Sequence, residues 1–118
     1  FLSKPEVDIE VVDKSQTQPL VEDDGKFKIF PVFSFDSARR FEMYSIEVDL
    51  GGYLYSEGHL QGTQEFITVF SGSIAISINN EDFVVAEGNS IRFKADRPHS
   101  YKNTGSAVCT LSMVIYYP

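Results

Sequence analysis

Residues Glu57 to Gly72 read EGHLQGTQEFITVFSG, and the way their second half folds decides the architecture. From Gln64 to Phe70 the pattern has period two, so Glu65, Ile67 and Val69 fall on one face of a strand and Phe66, Thr68 and Phe70 on the other. Both faces are largely apolar, which describes a strand covered on both sides. The same alternation points Glu65 inward. A carboxylate there is costly unless it is hydrogen-bonded, paired or bound to a cation, or reaches solvent at the mouth of the strand. His59, one of only two histidines in the chain, precedes it across a GHLQG turn in which Gly58 and Gly62 allow a sharp bend.

The period of two recurs along the chain, broken at short intervals by Gly, Asn and Asp, and helical periodicity is nearly absent. Strands are expected at Asp8–Val12, Phe27–Phe33, Arg40–Asp49, Tyr53–Ser56, Gln64–Phe70, Ser73–Ile78, Asp82–Val85, Ser90–Phe93, His99–Lys102 and Ala107–Tyr116. Asn79-Asn80-Glu81 and Thr104-Gly105-Ser106 read as turns. Asp13–Gly25 is polar, holds Pro19 and reads as a loop. Many short strands with regular turn signals predict an all-β sandwich or small closed barrel. Residues 1–7 read as a linker remnant and 8–118 as one domain. The start at Phe1 rather than Met suits a piece of a longer protein.

With 118 residues, 42% of them hydrophobic and 14% aromatic, the chain can bury a core. Its net charge of −7 repels a polyanion, so direct DNA contact by these residues is not expected. The single cysteine, Cys109, allows no disulfide within the chain and points to a reducing, cytoplasmic setting. No apolar run is long enough to span a membrane as a helix.

A second stretch, EGNSIRFKADRPHSYKN, supplies His99 and Asn103. Two imidazoles and a carboxylate are the donor set of a 2-His-1-carboxylate site for a divalent transition metal. Spacing alone does not bring His59, Glu65 and His99 together. The alternative is a metal-free barrel in which they hydrogen-bond a small ligand or one another. Alternation in Arg40–Asp49 puts Glu42, Tyr44, Ile46 and Val48 on one face, which makes Glu42 and Tyr44 candidate ligand contacts. Tyr55, Arg92 and Tyr101 are further candidates.

The two stretches resemble the two cupin motifs. The first is matched by Gly52, His59-x-Gln61, three residues, Glu65, six residues and Gly72. The second is matched by Gly88, five residues, Lys94-Ala95-Asp96, two residues, His99, three residues and Asn103. The resemblance implies a cupin jelly-roll barrel (a double-stranded β-helix) and a metal set of His59, Glu65 and His99 for one divalent ion (Zn, Ni, Fe or Mn). Gln61 stands where enzymatic cupins carry a second histidine, and Gly52 lies one residue further from His59 than usual. Gln61 is thus at most a neutral fourth donor or a ligand contact.

FEMYSIEVDLGG, GTQEFITVFSGSI, IRFKADRPHSYKN and MVIYYP further resemble the C-terminal cupin of helix-turn-helix regulators of the XRE type. That resemblance implies a domain sensing a small-molecule effector, with DNA bound by an N-terminal domain absent from this chain. It also implies a homodimer, joined through the N-terminal strands or the MVIYYP end. The second function implied by the cupin motifs is a small metal-dependent enzyme of dioxygenase or isomerase type.

Overall fold

The computed structural model describes residues 8–118. Ten strands follow in chain order: β1 Leu20–Glu22, β2 Phe27–Phe33, β3 Phe41–Val48, β4 Tyr53–Ser56, β5 Gln64–Ser71, β6 Ser73–Ile78, β7 Glu81–Ala86, β8 Ser90–Lys94, β9 His99–Lys102 and β10 Cys109–Tyr116. The only helical pieces among the described residues are two 3-10 turns, Lys14–Gln16 and Asp23–Gly25. All pairings are antiparallel. A six-stranded sheet has the order β1-β2-β3-β10-β5-β8, and a four-stranded sheet the order β4-β9-β6-β7. The chain passes repeatedly between the two sheets, as in a jelly roll, so the expected fold class holds.

The core is made by the period of two. On β5 the buried positions are Glu65, Ile67 and Val69, and on β10 they are Cys109, Leu111, Met113 and Ile115. These face Ile74, Ile76 and Val85 of the second sheet, with Phe27, Ile46 and Val48 completing the layer. Cys109 is fully buried and unpaired, and burial pushes its thiol up to about 11.

Two backbone positions set the strand path. Gly72 alone separates β5, in the large sheet, from β6, in the small one, and its φ of +74° makes that abrupt transfer. Asn79 and Asn80, with φ of 51° and 65°, form the two-residue β6–β7 hairpin loop at the first expected turn.

Several expectations about strands need correction. The outer face of β5 is not covered, with Phe66 and Phe70 41% and 61% exposed, and β10 begins at Cys109, two residues later than expected. Asp8–Val12 forms no strand: Ile9 and Val11 are 82% and 89% exposed, and their alternation meets no partner edge. The edge of β2 is taken instead by β1, from within the segment read as loop, with Leu20 opposite Ile29. Arg40 has a φ of 62°, so β3 begins one residue later. The expected linker, residues 1–7, lies outside the described residues.

Candidate functional site

Glu65 lies on β5 opposite Phe93 of β8 and Ile115 of β10, and it is completely buried. The Tyr101 hydroxyl of β9 donates to its Oε1 at 2.6 Å. His59 Nε2 is 3.0 Å from Oε2, and His99 Nε2 is 3.2 Å from the same oxygen. The β4–β5 connection carrying His59 is fastened locally. The His59 amide donates to the Ala95 carbonyl, the Ala95 amide to the Thr63 carbonyl, and the Gly62 amide to Asp96 Oδ2. The Asp96 carboxylate thus pins the turn between His59 and Glu65. His99 is oriented by edge-on contacts to Phe93 and Tyr101, with ring centroids at 5.2 and 5.4 Å.

The tautomer of His99 follows from its neighbours. Nδ1 lies 2.8 Å from the Arg97 carbonyl, which only accepts, so Nδ1 carries a proton. In the neutral ring Nε2 is therefore a bare lone pair. It is fully buried, faces a carboxylate oxygen, and makes no hydrogen bond. Two acceptors in that position need either a proton or a cation between them.

In the metal-free protein the proton supplies the match. Burial works to raise the Glu65 carboxyl, but the hydrogen bonds from His59, from His99 once Nε2 is protonated, and from Tyr101 outweigh it and hold it at about 2. Burial works to lower His99, but Glu65 and the Arg97 carbonyl outweigh it and leave the imidazole above its ordinary value. The contribution of Glu65 is complete above its ordinary 4.5 and fades as pH falls toward about 2. That of His99 is complete below its ordinary 6.5 and fades as pH rises through the raised folded value. The metal-free protein is thus expected to be most stable between 4.5 and 6.5. Thermal melts in chelator check this. A Tm that keeps rising from pH 6 to 8, beyond the ordinary histidine range, contradicts the ion pair.

The same geometry suits a divalent transition metal. One ligand atom from each of His59, Glu65 and His99 lies within 4.8 Å of the other two. Ligands at about 2.1 Å from one ion stand roughly 3.0–3.4 Å from each other, close to the two nitrogen–oxygen distances here. A metal-ligating histidine typically gives its other N–H to a carbonyl or carboxylate, as His99 does.

His59 and Glu65 of the cluster line a cavity of about 320 Å³ formed by both sheets, with His99 behind them against Glu65. Of the other candidate contacts, Glu42, Tyr44, Tyr55 and Tyr101 line it, with Tyr55 half-exposed at the rim. Gln61 and Arg92 do not. Gln61 is exposed in the turn between His59 and Glu65. Arg92 is exposed on the outer face of β8, where it donates to Gln64. Sequence reasoning missed Tyr117, whose hydroxyl donates to Glu42 Oε1 at 2.6 Å, and Leu20, which β1 brings to the rim. Met113, Ile115 and Tyr117 all line the cavity, so this part of the MVIYYP end is turned inward and is not a free docking surface.

The family described as Cupin domain matches residues 46–116. The chain is 29% identical, over all 118 residues, to the HTH-type transcriptional regulator SutR of Escherichia coli (strain K12), and spans 62% of that protein. Over 71 residues it is 30% identical to the HTH-type transcriptional regulator PuuR of the same organism, spanning 36% of it. Among solved structures it resembles the cupin domain of an XRE family transcriptional regulator from Enterobacter cloacae. The TM-score is 0.75 at 29% identity, covering 79% of this chain and 98% of that one. A predicted oxalate decarboxylase from Thermotoga maritima superposes with a TM-score of 0.78 at 17% identity, covering 92% of this chain and 100% of that one; at that identity it shares only the fold. Among the described residues no helix is long and apolar enough to cross a membrane.

Proposed function

This chain belongs to the cupin family, and on that premise we propose that it is the effector-binding domain of a cytoplasmic helix-turn-helix transcriptional regulator. The observation that carries the reading is the cavity, which is large enough for a small metabolite and ends on a buried carboxylate between two imidazoles. The regulators it aligns with give that cavity its context.

His59, Glu65 and His99 would hold one divalent ion, Zn, Ni, Fe or Mn. When bound, the ion would neutralise Glu65 and offer open coordination positions to a ligand oxygen or nitrogen. The chain's own residues do the rest. The Arg97 carbonyl fixes the tautomer of His99, Tyr101 holds Glu65 inward, and mostly apolar side chains line the rest of the cavity.

The acidic domain itself should make no specific contact with duplex DNA. In the intact protein, saturating effector should change operator affinity by about 5–150-fold, the usual range of allosteric coupling. Fluorescence anisotropy on DNA upstream of the parent gene measures both. Specific, salt-sensitive binding by the isolated 118 residues, or an operator affinity indifferent to every cavity ligand, contradicts the proposal. Two-fold operators also call for a homodimer of the intact protein. Sedimentation showing only monomer at micromolar concentration counts against it.

A further inference from the structure

Glu42 lies outside both sequence motifs and outside the histidine cluster, yet it faces the same cavity. Strand register places it with the cluster in one transverse row: Ile115 of β10 is opposite Glu42 of β3 on one side and Glu65 of β5 on the other. Neighbouring strands are about 4.8 Å apart, so the two carboxylate-bearing backbones stand roughly 10 Å apart. Between them is the apolar side chain of Ile115.

Glu65 is matched by its two histidines, but no lysine or arginine lines the cavity, and among the described residues Glu42 has no ion-pair partner. Glu42 Oε1 accepts the Tyr117 hydroxyl. Tyr44 is close enough that burial, followed by the Glu42 charge, pushes its phenol up to about 12. A half-buried carboxylate flanked by two neutral phenols, with aromatic faces around it, is arranged to receive a positive charge. It would repel an anion. The protein's net charge of −7 would also draw cations toward the opening.

We propose that Glu42, Tyr44 and Tyr117 form a recognition site for an organic ammonium group, so that the effector is a small amine whose apolar part lies over Ile115 toward Glu65. The assignment rests on the effector-cavity reading above and names its ligand class. It differs from the metal set in residues and in chemistry, because an ammonium donates hydrogen bonds to a carboxylate and phenol oxygens and requires no imidazole.

The test uses the 118-residue protein, stripped of metal by chelator, with ¹³C-labelled isoleucine and methionine methyls observed by NMR. The probes are n-butylammonium, n-butanol and n-butyrate, alike in size and different in charge. Butylammonium should shift the Ile46, Met113 and Ile115 methyls saturably, while butanol binds more weakly and butyrate not at all. Glu42→Gln should weaken butylammonium at least about 10-fold, the scale of a lost charge-assisted hydrogen bond, and leave zinc affinity unchanged. Tyr117→Phe should weaken butylammonium less. Equal binding of butylammonium by wild type and Glu42→Gln overturns the proposal. Binding of butanol or butyrate in preference to butylammonium overturns the amine assignment alone and leaves the effector cavity standing. If none of the three probes saturates, the amine assignment and the cavity reading beneath it both fail.

Discussion

Glu65→Gln should reduce the affinity of the protein for zinc or another divalent transition metal by at least about 100-fold. Loss of a group that merely orients a ligand typically costs about 10–100-fold, and Glu65 is the only anion among the three proposed donors. The substitution preserves volume, so the effect is not one of packing. An amide can accept from Tyr101 or His59, but its NH₂ then faces the other donor, and the counter-charge for a cation is gone. The pH dependence changes with it. Without the carboxylate, His99 keeps only the Arg97 carbonyl in favour of its protonated form, so the stability gained below 6.5 should largely disappear. Competition against a fluorescent chelator measures the first effect and melts across pH the second. Unchanged metal affinity in the variant would remove Glu65 from the donor set.

Gly72→Ala is expected to lower stability by about 3 kcal/mol or more, and Tm by roughly 10–15 °C. An added Cβ would stand 2.7 Å from the Val108 carbonyl oxygen and 3.0 Å from the Cys109 Cα. Both are backbone atoms at the entrance to β10, a central strand, and no side-chain rotation relieves the contact. The residue also holds a φ of +74° at the single position where the chain leaves one sheet for the other. Gly88→Ala separates the two causes. Its φ is +84°, but nothing lies within 4 Å of the added Cβ, so only the cost of the left-handed backbone remains, about 1–2 kcal/mol. Equal melting of the two variants would show that the close approach at Gly72 contributes nothing.

Much of the site was legible because it lies on strands whose period is unambiguous. Ile67 and Val69 fix the inward phase of β5 and carry Glu65 with them, and Ile46 and Val48 do the same for Glu42 and Tyr44. Arg92 falls between Ile91 and Phe93, so the same period turns it outward, as the structure has it. Gln61 was beyond such reasoning, since a phase read on β5 does not survive the turn at Gly62. Tyr117 lies one residue past the last strand, although Met113 and Ile115 continue to it at the same spacing. The failures at Asp8–Val12 and at β1 share one cause. Whether a short alternating segment becomes a strand depends on a free edge, and the edge of β2 is decided by tertiary structure. The meeting of His59 with His99 is equally long-range, and only the family resemblance anticipated it.

The central claim is that the cavity lined by His59 and Glu65, with His99 against Glu65, holds a small molecule or ion in the cell. Native mass spectrometry of the protein taken from its own host without denaturation, set against its denatured mass, tests this most directly. The account predicts a native mass exceeding the chain by a metal ion, a metabolite of a size fitting about 320 Å³, or both, with the metal increment missing in Glu65→Gln. A native mass equal to that of the bare chain in every preparation would contradict it.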